Sequence, residues 1–261
     1  MATTAIALAP QSTGIGYYAR IFAKETKYEF VRMLRTRAFS LSVIGFPVMF
    51  FLLFGVSNRH NGYAQYLVPG YSCMGVVSAC LFGIGVSISL ERNLGWLDLK
   101  QASPMPRLAY IVAKTVSCAG FALVIVTTLI ILGVTAGGAH ITLPQAAQLA
   151  GVVLAGSIPF AAMGLVVALI VPPNSGPGII NLIWIPMSFA SGFWMPVSLL
   201  PHFLQKIALA LPTYHLAQLA LTIFGLGQGG RMSIHWEALA GFTLLMLGSA
   251  WIIFARSEAK A

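Results

Sequence analysis

The chain has 261 residues, of which 58% are apolar and only 8% charged, with a formal net charge of +9. Soluble domains carry about a quarter charged residues, so this composition excludes an ordinary soluble globule and points to a surface that faces lipid. The basic excess is no sign of nucleic-acid binding, because Lys and Arg gather beside apolar stretches, where orientation signals sit.

Asp, Glu, Lys and Arg are missing between Arg37 and Arg59, between Arg59 and Glu91, and between Lys114 and Lys206. A crossing helix needs about 20 mostly apolar residues, whereas a barrel would alternate in segments of about ten, and nothing here alternates. The pattern predicts an all-α polytopic membrane protein with six transmembrane helices.

In chain order, residues 1–16 are expected to form a disordered tail without a cleaved signal, since no basic region precedes their short apolar run. Residues 17–37 have helical periodicity. Phe22, Thr26, Phe30 and Met33, with Ala19, Ala23 and Leu34, share one face. Arg20, Lys24, Glu25, Lys27, Glu29, Arg32 and Arg35 share the other. Such a basic amphipathic helix beside a span suits the headgroup region; a plain solvated helix is the alternative. The spans fall at about 38–56, 66–90, 111–135, 149–171, 179–200 and 238–254, making 38–254 a single transmembrane domain with a tail at 255–261. Gly45 in span one and Gly75, Gly83 and Gly85 in span two would allow close helix approach.

Between spans five and six, Pro201 suits a helix start and Pro212 ends that segment. Thr213 is placed to cap a second segment, which Gly225, Gly227, Gly229 and Gly230 terminate. Both pieces are apolar yet too short to cross, so they predict a re-entrant helical hairpin, with a seventh span as the alternative. Twelve Lys and Arg flank one side of this arrangement and three (Arg59, Lys206 and Arg231) the other. That asymmetry puts both termini and the loop between spans two and three in the cytoplasm.

Cys73, Cys80 and Cys118 all fall within spans and read as small buried apolar residues. His60, His140, His202, His215 and His235 lie at or beyond outer span ends and read as interfacial polar groups rather than metal ligands. The chain contains no GxxxxGK[ST] phosphate loop, HExxH, CxxC or GxSxG at a strand-to-helix turn. Ionisable residues at membrane depth are nearly absent, which disfavours ion-coupled transport. The deepest, Lys114, reads as a snorkelling anchor at the start of span three.

Four strings in order carry a family resemblance. They are the basic helix running into FPVMFFLLFG, YLVPG at 66–70, ERNLGWLDLKQASPMPRLAYIVAK, and SGFWMPVSLLPHFLQKIALALPTYH. Together, across residues 20–220, they resemble type-2 ABC transporter permeases, the membrane subunits of ATP-driven exporters. The resemblance implies a non-enzymatic subunit of the inner (cytoplasmic) membrane, paired as a homodimer or heterodimer. It would work with a separately encoded P-loop ATPase that carries ATP and magnesium, with no cofactor or metal on this chain. It also implies a coupling helix in residues 91–109. Glu91, Arg92, Gly95, Trp96, Leu97, Asp98, Lys100 and Arg107 are candidate coupling residues there, joined by Arg32 and Arg35 from the interfacial helix. A plain interhelical connector remains the alternative for this loop. The family's pathway, between two subunits near spans two and five, implies Phe82, Trp184, Phe189, Trp194 and Met195 as candidate lining residues; lipid-facing aromatics are the alternative. With no charged lining, the expected substrate is amphipathic or hydrophobic, such as a drug or a lipid-like molecule; the resemblance also implies a glycan as an option, since the family includes polysaccharide exporters with aromatic pathways. Rival readings are an ATP-independent secondary carrier or channel, and a non-transporting membrane scaffold.

Overall fold

The computed structural model describes residues 15–96, 106–172, 175–228 and 230–258, and every regular element among them is helical. The tail expected at 1–16 thus lies outside the described residues up to position 14. Helix α1 (Ile15–Arg35) stops at Thr36 and restarts as α2 (Arg37–Phe50), which continues through a π turn, Phe51–Val56. Thr36 leaves helical geometry (φ −76°, ψ 88°). Its Oγ1 donates to the Arg32 carbonyl, while its own carbonyl accepts from the Phe39 and Ser40 amides. The backbone therefore turns from the amphipathic helix into the apolar one while keeping these polar groups paired.

Helix α3 (Tyr63–Cys80) runs through a second π turn, Leu81–Val86, into α4 (Ser87–Asn93), giving one rod of 31 residues. Then follow α5 (Arg107–Thr135), α6 (Leu143–Ile170), α7 (Gly176–Ala190), the short α8 (His202–Ala208), α9 (Pro212–Ile223) and α10 (Met232–Glu258). Helix α6 starts cleanly because Gln145 Oε1 reaches back to accept from the Thr142 amide at 3.0 Å, satisfying a donor that a helix start leaves unpaired.

Five described helices are long and apolar enough to cross a membrane: Arg37–Val56, Tyr63–Asn93, Leu108–Thr135, Leu143–Ile170 and Met232–Arg256. They coincide with predicted spans one to four and six, each starting earlier than the hydropathy suggested, by a single residue at α2. Predicted span five is different. Its helix, α7, has 15 residues, and the chain unwinds where Gly192 adopts φ 84°, a left-handed conformation that disfavours side chains with Cβ. Thr213 also departs from expectation. Pro212 takes the first helical turn of α9, Leu211 becomes the cap, and the Thr213 hydroxyl is buried against that of Ser191. Proline is pre-organised for that first position, so the cap lies two residues upstream of Thr213.

Rod α3–α4 is the centre of the bundle. Nearly all of α3 is buried, packed on α5, α6 and α9. A Cβ added at Gly164 of α6 would meet the Cys80 carbonyl oxygen at 2.9 Å, so glycine there permits close contact between spans two and four. Positions Gly75, Gly83 and Gly85 are packed in the same way, whereas Gly45 faces open space. The three cysteines are buried and free. By contrast α10 touches mainly α6 and α9, and exposes Leu244, Leu245, Trp251 and Ile252.

Candidate functional site

Four charges meet where α1 crosses the ends of α4 and α5. Lys114 lies seven residues into α5 and is fully buried. Its Nζ donates to Glu29 Oε1 at 2.7 Å, Ser87 Oγ at 2.8 Å and Glu91 Oε1 at 2.9 Å. An ammonium has three N–H donors, and each has an acceptor. Arg32, about half-exposed, adds a bond to Glu29 at 2.6 Å, another to Ser87 at 2.7 Å, and an ion pair with Glu91. Ser87 donates to Glu91 Oε1, and the Tyr110 hydroxyl donates to Glu91 Oε2 at 2.5 Å. Two carboxylates face two cations, so the cluster is neutral as a whole.

Each carboxylate is held because of where its helix places it. Glu29 sits between Thr26, Phe30 and Met33 on the face of α1 that packs on α5, with Phe30 against Phe121 at 5.1 Å. Placing Glu29 on the solvated face of α1 is thus overturned: it is 4% exposed, because its charge has a buried counterion that compensates its loss of water. The snorkelling reading of Lys114 is overturned for the same reason. Burial by itself would lower the Arg32 pKa, but the Glu91 and Glu29 carboxylates outweigh it and hold the guanidinium above its ordinary range.

The neighbouring arginine ties a different helix. Arg92 donates to the carbonyls of Leu169 at 3.2 Å and Val171 at 3.0 Å, and Ser89 Oγ donates to Val171 at 3.2 Å. These carbonyls end α6 and have no further turn to bond to. The Glu91–Arg92 pair therefore fastens the end of span two to α1 and span three on one side and to span four on the other. Beyond it Gly95 turns the chain with φ 71°, and Trp96 projects with 57% exposure. Leu97, Asp98 and Lys100 lie outside the described residues; Arg107 opens α5, and Arg35 is exposed at the end of α1.

One large cavity, about 1220 Å³, begins at this cluster. It runs between α2, the α3–α4 rod and α7, and Phe82, Trp184, Phe189, Trp194 and Met195 all line it. Arg32 and Glu91 are the charged residues in its wall. Toward the far end rings gather around Trp194: Phe189 stacks on it at 4.8 Å, and Phe50 and Tyr71 meet it edge-on at 4.6 and 5.8 Å. Trp194 is fixed by its indole N–H to Ser188 Oγ at 3.2 Å, and by Tyr63 donating to its carbonyl at 2.7 Å. Tyr66 donates to the Gly192 carbonyl at 2.5 Å. The unwound end of α7 is thus attached to the start of span two.

The five residues named from sequence as pathway candidates line this one cavity, but sequence reasoning missed Glu29, Ser87, Tyr110 and Lys114 as members of one cluster. A signal was present. The chain has only six Asp and Glu residues, so a lysine deep in an apolar helix had few partners available, and a membrane-embedded charge normally has one.

The comparisons agree with this architecture. A family profile described as ABC-2 type transporter matches residues 23–224. The chain belongs to the ABC-2 type transporter family. A protein of Bacillus subtilis (strain 168) named "Putative transport permease YvfS" is 25% identical over 202 residues, covering 75% of this chain and 82% of that protein. The chain is therefore a multi-pass membrane protein of a transport permease family, and the matched region contains the charge cluster, the cavity and the rings around Trp194.

Proposed function

We propose that this chain is the permease subunit of an ATP-driven exporter, acting as a dimer in the inner membrane with a separate P-loop ATPase that binds ATP and magnesium. The observation that carries it is the buried cluster joining α1 to the stem of the 91–109 loop. A subunit without a phosphate loop must receive work through a cytoplasmic surface, and here both predicted surfaces are fastened to one neutral set of charges. Trp96, exposed beyond the Gly95 turn, is an apolar anchor for the ATPase; Leu97, Asp98, Lys100 and Arg107 complete that surface, and Arg35 extends it along α1. ATP binding would shift the loop and α1 together, and the α3–α4 rod would pass that shift to the Trp194 enclosure.

The finer topology belongs to this reading. Helix α7, about 22 Å at 1.5 Å per residue, falls short of the hydrocarbon core of about 30 Å, and the unwound 191–200 segment completes a sixth crossing. Helices α8 and α9 form the re-entrant hairpin on the outer side, and the twelve-to-three bias of Lys and Arg sets both termini inside. The cavity, apolar along most of its wall and, among the described residues, charged only at its cytoplasmic end, suits an amphipathic or hydrophobic substrate.

Mild-detergent purification of the tagged full chain from native membranes tests the reading. Recovery of a P-loop ATPase in equimolar amount is expected. Recovery of the chain alone, in a preparation that preserves a known ABC complex, would favour a carrier or scaffold. With the partner in hand, the double variant Trp96→Ala, Asp98→Lys is expected to lose assembly and stimulated hydrolysis; survival of both would remove the loop from the coupling role.

A further inference from the structure

A second cavity, about 570 Å³, lies at the opposite end of the bundle from the charge cluster, beside the unwound end of α7. Its walls come from the Val197–Leu199 turn, α8, the start of α9 and Gln228. The walls are braced. Gln205 Nε2 donates to the Ser198 and Leu200 carbonyls at 3.3 and 2.7 Å. Gln228 accepts from the Ser198 amide at 3.2 Å and donates to its hydroxyl at 3.1 Å, while its own amide donates to buried Gln218 at 2.7 Å. Such bracing fixes the cavity's shape before anything enters it.

Its charge is one-sided. His202 and Lys206, one helical turn apart on α8, both line it, and among the described residues no carboxylate does. The sequence offers little compensation, since no Asp or Glu occurs between Asp98 and Glu237. The other stripe of α8 is apolar and exposed: Phe203 at 62% and Ile207 at 49%, continued by Leu199 at 71%. A cationic, hydrogen-bonding cavity therefore adjoins a bare apolar strip. That pairing matches a molecule with an anionic, oxygen-rich head and hydrocarbon tails.

We propose that this cavity binds the phosphate-bearing headgroup of an anionic membrane lipid, with Lys206 and His202 facing the phosphate and the acyl chains lying along Leu199, Phe203 and Ile207. The proposal rests on the membrane placement of α8 but not on ATP coupling, and its readout is binding, so its failure leaves the permease reading standing.

The test is native mass spectrometry of the full chain titrated with phosphatidylglycerol and with phosphatidylcholine of the same acyl chains. Wild type is expected to prefer the anionic lipid roughly tenfold, the size of one charge-assisted contact. Lys206→Gln should bring the two lipids to within about twofold, because that contact is gone. Lys206→Arg should keep the preference, as should Arg231→Gln, which removes a nearby cation that does not line the cavity. A preference that survives Lys206→Gln, or that falls equally with Arg231→Gln, would overturn the site. Binding of inorganic phosphate as tight as that of the lipid would make it a free-anion site and overturn the lipid assignment.

Discussion

Replacing Lys114 by methionine keeps the stem's length and removes the charge. Three hydrogen bonds of 2.7 to 2.9 Å disappear together. Glu91 retains Ser87, Tyr110 and Arg32, but Glu29 retains only Arg32 among the contacts seen here, and Arg32 is 46% exposed. Removing one partner of a buried ion pair costs about 3–5 kcal/mol, because the other charge stays out of water uncompensated. The screened Arg32 offsets part of that, so the lower end of the range, about 3 kcal/mol, is expected. The companion variant Glu29→Gln, Lys114→Met removes the stranded charge as well and should recover at least about 1 kcal/mol, a positive coupling in a double-mutant cycle. Denaturant titration of the detergent-purified chain, followed by tryptophan fluorescence, measures both. A Lys114→Met loss under about 1 kcal/mol, or additive losses in the double variant, would show that Lys114 reaches water after all.

Further outcomes follow from other contacts. Arg92→Gln should cost about 1 kcal/mol, since an exposed guanidinium loses two bonds to the last carbonyls of α6; hydrogen exchange at Leu169–Val171 should rise, with the rest of α6 unchanged. Trp194→Ala should cost about 2 kcal/mol, below the range for a fully buried ring, and should alter substrate flux while leaving assembly with the ATPase intact. Stability should also fall on acidification through the His215–His235 contact. His215 Nε2 donates to the Leu209 carbonyl at 3.1 Å, so its Nδ1 accepts from His235 Nδ1–H at 2.8 Å. Burial, and secondarily His235, hold the His215 pKa below its ordinary value. A depressed pKa contributes stability that is full above about pH 6.5 and is lost as pH falls through the folded value. A melting series from pH 7.5 to pH 5 should show that decline, and His215→Gln should flatten it.

Much of the fold was legible because long apolar runs leave few options in lipid, where backbone groups must be paired within the helix. Pro201, Pro212 and the glycine group marked the two short segments for local steric reasons. What escaped was set by tertiary neighbours. Glu29 falls on the polar face of α1 by periodicity, and only the position of Lys114 on a helix 85 residues further on explains its burial. Helix α7 ends early because Gly192 turns and Tyr63 and Tyr66 hold the carbonyls of the turn, a contact no hydropathy window can register. The candidate lining aromatics were named singly, from type and position; the gathering of Phe50, Tyr71 and Phe189 on Trp194 depends on how α2 and α3 pack against α7.

The length of the α3–α4 rod explains why four charges are tolerated in a chain otherwise so poor in them. From Tyr63 to Glu91 is 28 residue steps, about 42 Å at the helical rise of 1.5 Å, against a hydrocarbon core of about 30 Å. With Tyr63 near one boundary of the core, Glu91 clears the other even if the rod tilts by the usual amount of about 20°. The cluster then sits at headgroup level, dry on the side facing α5 and wet on the side of Arg32. Under the proposed function, that position suits a link between the ATPase and the bundle. Apolar side chains facing lipid could slide with little change in energy, because lipid tails offer equivalent contacts. An ammonium with all three donors engaged cannot move without leaving a buried donor unpaired. The neutral cluster costs little at the membrane boundary and resists relative motion of α1, α4 and α5. Under the proposed function, a push on α1 or on the 91–109 loop moves the rod as a unit, toward the contacts of Tyr63, Tyr66 and Tyr71 with the Gly192–Trp194 turn at its far end.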